Sequence, residues 1–164
     1  VSYPGTGLAQ RLKSVAQLIS AGLSTQIYYL TLDGFDTHSN QRDAHAALLA
    51  ELSGAVHAFL EDVAHQGHGE RVMLMTFSEF GRRVKENASG GTDHGAAAPM
   101  FLAGAKARSG LIGKHPSLTD LDDGDVKFHT DFRRIYAGLL SDWLGWNAAA
   151  IVGKPFVPMQ VVDA

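Results

Sequence analysis

Gln26-Ile27-Tyr28-Tyr29-Leu30-Thr31-Leu32 runs directly into Asp33-Gly34-Phe35-Asp36-Thr37-His38. The first seven residues are short, apolar and rich in β-branched and aromatic side chains, which predicts a buried strand. The next six form a Gly-containing polar turn at its end. Upstream, Leu8, Leu12, Val15, Ile19 and Leu23 recur at helical spacing and Gly22 offers a stop, predicting a helix over 7–21. Downstream, Leu48, Leu49, Leu52, Val56, Phe59, Leu60 and Val63 mark one face of a long helix over 41–65, closed by Gly67 and Gly69. Two more apolar runs, 71–77 and 99–103, read as strands. A last helix over 131–144 carries Phe132, Ile135, Tyr136, Leu139, Leu140 and Trp143, with Thr130 or Asp131 as N-cap and Gly145 after its end. Long helices alternating with short apolar strands predict an α/β fold: a three-layer αβα domain with a mostly parallel sheet, spanning 1–164 as one unit.

Composition narrows the function classes. The chain has 164 residues, 45% of them hydrophobic and 19% charged, enough to bury a core. Net charge is −3 and the basic residues are scattered, which argues against a nucleic-acid partner. No apolar stretch reaches the roughly 18–20 residues of a membrane span. The sequence holds no cysteine, so thiolate chemistry and Cys-based zinc sites are excluded. It opens with Val1 rather than Met, and carries no charged segment leading into a signal-type apolar run. A processed or partial chain is expected, with part of any active site lying elsewhere.

Three polar turns carry the chemistry. Asp36 and His38 stand two residues apart in the first, so their side chains can meet one ion. Ser78-Glu79-Phe80-Gly81-Arg82-Arg83 follows the second strand, offering Glu79 as ligand or general base and Arg82 or Arg83 as an anion clamp. Asp93 and His94 sit between glycines in the loop 85–95. Hard carboxylate oxygen beside imidazole nitrogen is the mixture that holds a divalent metal, zinc first, with manganese, iron or calcium as alternatives. The bland readings are a turn aspartate with a surface histidine, a solvated loop at 85–95, and a surface ion pair between Glu79 and an arginine. In an open parallel sheet the turns at strand carboxyl ends share an edge, so Asp36, His38, Glu79, Asp93 and His94 are expected in one pocket. The acidic run Asp120, Asp122, Asp123 and Asp125 lacks the ordered spacing of a calcium loop.

Four motifs in order resemble one bacterial family, domain of unknown function 1501. They are Gly-Phe-Asp-Thr-His-Ser-Asn-Gln from Gly34, Thr-Phe-Ser-Glu-Phe-Gly-Arg-Arg from Thr76, Gly-Thr-Asp-His-Gly from Gly91, and Asp-Phe-Arg-Arg-Ile-Tyr from Asp131 with Trp143-Leu144-Gly145. The resemblance covers nearly the whole chain and corresponds to the C-terminal portion of a family member. It implies kinship with sulfatases and alkaline phosphatases, a doubly wound α/β sheet, and a two-metal centre. By that resemblance Asp36 and His38 fall at the first ligand pair, Glu79 where an Asp-His pair usually stands, and His94 at a later ligand position beside Asp93. The spacing Asp-x-His is tighter than that superfamily's, one imidazole is missing at Glu79-Phe80, and the nucleophile lies outside this chain.

The expected function of the full-length protein is therefore metal-dependent hydrolysis of a small phosphate or sulfate ester. The resemblance also implies a periplasmic or cell-surface location. The rival expectation is a non-catalytic binding or scaffold protein that keeps the fold without the chemistry.

Overall fold

The computed structural model describes residues 1–153 and 156–163. Helix α1 is Gly7–Ser20, and Thr6 caps it by accepting the Ala9 N–H on its side chain. Its last turn closes on Gly22 (φ +76°), with Gly22 N–H donating to Ile19 O and Leu23 N–H to Leu18 O. That pair of bonds is a Schellman motif, which satisfies two orphan carbonyls of the helix end. Helix α2, Gln41–His65, ends the same way: Gly67 (φ +77°) donates to Ala64 O and His68 to Val63 O. Both glycines occupy the left-handed region, where a Cβ is disfavoured. Leu8, Leu12 and Val15 of α1 are buried with Ala55, Phe59 and Val63 of α2, and the two helices pack on one another. The Glu51 carboxylate accepts the Leu8 N–H at 3.1 Å, so α2 also supplies a cap to α1.

The remaining elements are short. Strand β1 (Leu74–Met75) pairs antiparallel with β4 (Leu102–Ala103), and β2 (Gly81–Glu86) forms a hairpin with β3 (Thr92–Gly95). Strands β5 (Leu121–Asp122) and β6 (Asp125–Val126) make a small antiparallel hairpin. Helix α3, Phe132–Gly138, passes into a π-helical turn at Leu139–Trp143, and α4 is Ala148–Val152. Gly138 allows the C-terminal segment to approach, since a Cβ there would lie 2.2 Å from Met159 O. Two compact units result: Val1–Val72 with Lys85–Asp93, and Met73–Val84 with His94–Ala164.

This arrangement corrects the expected fold class. The described residues form four α-helices and three two-stranded sheets, with no extended parallel sheet, so the chain is not a three-layer αβα domain. The three predicted helices are present, α3 and the π-helical turn together filling the place of the third. The strands differ. Residues 26–32 lie outside any strand, although Tyr28, Leu30 and Leu32 are half-buried and Ile27, Tyr29 and Thr31 exposed. That alternation is the period of extended backbone. A ladder needs a partner as well as a period, and the segment is instead tied to α1 by Arg11 Nη2 donating to Thr31 O at 2.6 Å. Only two residues of each of the runs 71–77 and 99–103 pair, and they run antiparallel. Apolar composition marks a segment as extended but leaves its partner and direction open.

Two outcomes test these local determinants. Gly67→Ala meets no atom within 4 Å, so its cost is backbone strain alone, about 1–2 kcal/mol by thermal denaturation. At α3, Asp131 caps the helix by accepting the Arg133 N–H, and the Arg133 guanidinium donates to both its oxygens. The Arg133 side chain, then its backbone N–H, hold the Asp131 carboxyl at about 2 against an ordinary 3.8. A depressed carboxylate stabilises the fold above its unfolded value, so this contribution is present above 3.8 and fades as pH falls toward 2. Amide chemical shifts of Arg133 should titrate in that window, and Asp131→Asn should abolish the titration while keeping the cap.

Candidate functional site

In the first unit the turn 33–38 is seated on α2. Gly34 (φ +100°) lies against Leu48, and the Phe35 ring meets His45 edge-on with centroids 5.4 Å apart. Thr37 N–H donates to Phe35 O at 2.9 Å, a three-residue turn that carries Asp36 at its centre and delivers His38 just beyond. His38 Nε2 stands 3.0 Å from Asp36 Oδ1. The other ring nitrogen, Nδ1, stands 3.5 Å from Asp93 Oδ1. The imidazole is thus bracketed by two carboxylates, one on each nitrogen.

What holds this bracket is the hairpin loop 87–91. Asn87 N–H donates to Gly91 O at 2.8 Å and Gly90 N–H to Asn87 O at 3.3 Å, with Gly90 at φ +69°. The sequence Asn-Ala-Ser-Gly-Gly suits such a turn, with Asn opening it and Gly in the left-handed position. The loop then docks on the start of α2. Asn40 N–H donates to Ser89 O at 3.0 Å and Gln41 N–H to Gly90 O at 2.9 Å. Asn40 itself is left-handed (φ 45°) and makes no side-chain cap, so loop carbonyls satisfy the helix's first donors. Thr92 Oγ1 donates to Gln41 Oε1 at 2.9 Å. Asn87 Nδ2 reaches the His38 carbonyl at 3.0 Å and Asp93 Oδ1 at 3.3 Å.

Of the residues expected to act, Asp36, His38 and Asp93 therefore come together within the first unit. Their side chains are 63%, 48% and 62% exposed, so the ion pairs themselves add little stability. The shape is imposed by backbone docking, and the open face leaves room for water or a ligand. Asn87 was legible only as part of a loop; the Asn-x-x-Gly turn signal was the available clue.

The other expected residues belong to the second unit. Glu79 is exposed in a turn where Ser78 Oγ donates to Phe80 O at 2.9 Å. The His94 ring stacks on Phe80, centroids 3.8 Å apart and planes within 9°, and the Arg82 guanidinium lies 5.1 Å from the same ring. Arg83 Nε stands 3.4 Å from Asp125 Oδ1, which makes no hydrogen bond, so the charges pair without hydrogen-bond geometry. Arg83 thus faces a carboxylate rather than an open anion site. Elsewhere in the second unit, His129 bonds Lys114 O and Thr130 Oγ1, and His115 Nδ1 bonds Pro116 O, both as loop braces.

Gly91 is the position that admits the close approach at His38. A Cβ there would lie 2.4 Å from the His38 carbonyl carbon and 2.8 Å from Ser39 N, both backbone atoms that no rotamer change can move. Gly91→Ala is expected to cost about 1–3 kcal/mol by denaturant unfolding. It should also shift the His38 ring signals in NMR spectra. An unchanged midpoint and spectrum would contradict the docking described.

No curated protein and no solved structure matches the chain. Residues 15–142 match the family described as "Protein of unknown function (DUF1501)". That span includes the turn 33–38, the loop 87–91 and Asp93, and it shows that the chain belongs to this family.

Proposed function

We propose that Asp36 and His38 hold one divalent cation, zinc in the first instance with manganese, iron or calcium as rivals. In the full-length protein this centre serves hydrolysis of a phosphate or sulfate ester. One observation carries the reading: the His38 ring stands between two carboxylates, 3.0 Å from Asp36 on Nε2 and 3.5 Å from Asp93 on Nδ1. A neutral imidazole has one N–H for these two acceptors. A cation held by Nε2 and Asp36 leaves that one N–H on Nδ1, facing Asp93. That is the carboxylate–histidine–metal arrangement that fixes the tautomer of a ligating histidine. Ligand atoms about 2.0–2.2 Å from an ion stand about 3 Å apart near a right angle and about 3.3–3.6 Å apart at zinc's tetrahedral angle, so a small opening of the pair admits zinc. Asp93 was expected as a direct ligand; its place on Nδ1 favours an orienting role.

When bound, such an ion supplies Lewis-acid polarisation of an ester oxygen. The chain's own part is to orient the His38 ring and leave an open face. The kinship with sulfatases and phosphatases that the family resemblance implies supports the substrate class, and the same resemblance supports a periplasmic or cell-surface setting. His94 as a further ligand, Glu79 as ligand or base, and Arg82 as anion clamp are carried from the sequence as variants to test. A second reading, a binding protein without chemistry, is favoured by Arg83 being turned to Asp125.

Calorimetric titration with Zn²⁺, Mn²⁺ and Fe²⁺ tests the centre. One ion per chain is expected, and Asp36→Ala or His38→Ala should weaken it by more than the ~10–100-fold that outlying partners cost. Metal at 100 times Kd should raise stability by about 2.7 kcal/mol, and a chelator should reverse the gain. Absence of any saturable binding would defeat the metal reading. Turnover of an aryl phosphate or aryl sulfate by the full-length protein would decide for the hydrolase, and binding without turnover for the second reading.

A further inference from the structure

We infer that Asn87 is the positioning residue of this centre, an inference that rests on the metal reading above. Its side-chain amide has four hydrogen-bonding capacities. All four are used. Oδ1 accepts from Ser89 N–H at 2.9 Å and Gly91 N–H at 3.1 Å. Nδ2 donates to His38 O at 3.0 Å and to Asp93 Oδ1 at 3.3 Å. The two accepted bonds settle which way the amide faces, because a flipped amide would set its NH₂ against two N–H donors. The donor end therefore points at the centre, and one nitrogen spans both of its halves. It grips the backbone of the residue that ligates and the carboxylate that orients that residue's ring.

The consequence concerns affinity. Asp93 Oδ1 is shared between Asn87 Nδ2 and His38 Nδ1, at 3.3 and 3.5 Å. A donor on that oxygen keeps the exposed carboxylate from swinging into solvent, so the orientation of His38 is fixed before an ion arrives. Pre-ordering of this kind lowers the entropy lost on binding. Aspartate in place of Asn87 would keep the accepted bonds but set two carboxylates against each other. Serine is the informative change: its hydroxyl can imitate the local turn bond to Ser89 but is too short to reach Asp93.

The test is metal titration of Asn87→Ser beside wild type, with Co²⁺ as a visible-absorbing probe and Zn²⁺ by competition. The expected result is at least about a tenfold loss of affinity and an altered Co²⁺ spectrum, with the metal-free protein still folded by circular dichroism. In an Asp93→Ala background the same substitution should cost clearly less, because its partner is already gone. Equal affinity in Asn87→Ser and wild type, or an equal cost in both backgrounds, would overturn the inference while leaving the metal reading intact. Failure of wild type to bind Co²⁺ or Zn²⁺ would remove the metal reading itself. Should Asn87→Ser unfold, the wild type still decides. Its two Asn87 amide protons should be distinct and slow to exchange without metal, and should shift in step with metal occupancy. Averaged or unmoved signals would overturn the assignment.

Discussion

The contact on which the candidate centre depends is between two pieces of backbone. The loop 87–91 lies flat against residues 38–41, and Gly91 comes so near His38 that no side chain fits between them. Two carbonyls of that loop take the first N–H groups of α2, which have no partner inside the helix. The helix start thus needs the loop as much as the loop needs a surface. Asn87 adds side-chain bonds at the same junction, and His38, Asp36 and Asp93 follow from where that junction leaves them. Exposed charges of this kind attract one another weakly. Their convergence comes from hydrogen-bonded backbone and costs the charges little freedom.

Crowding two carboxylates around one imidazole has a chemical meaning. A neutral ring carries one N–H, so with that proton on Nδ1 toward Asp93 the lone pair of Nε2 lies beside Asp36. Because both groups are open to solvent, a cation proposed there would exchange with water. That is the difference between a buried ion pair, which is costly to leave incomplete, and a surface site that exchanges its ligand.

The helices were legible because their signals are local. Apolar residues every three to four positions, and Gly22 and Gly67 at their ends, fix α1 and α2 without reference to the rest of the chain. The sheet was not legible, because strand partners lie far apart in sequence. Residues 26–32 keep the alternating exposure of extended backbone but join no ladder, and Leu74–Met75 pairs antiparallel with Leu102–Ala103. The alternation of helix and apolar run was read as a parallel crossover, and nothing in composition forbids the antiparallel alternative. At the site, Asp36 and His38 were visible as a pair because a single residue, Thr37, separates them. Asp93 comes to His38 Nδ1 from a loop whose docking no single motif announces. Asn87 stayed hidden because an asparagine before glycines reads first as a turn residue.

The most direct test of the account is the pair of His38 ring nitrogens, observed by ¹⁵N NMR through a zinc titration. The account predicts that Nδ1 stays protonated, facing Asp93, while Nε2 moves to the shift of a metal-bound nitrogen in step with zinc. Zinc on Nδ1, or a ring whose two nitrogens ignore the metal, would contradict it.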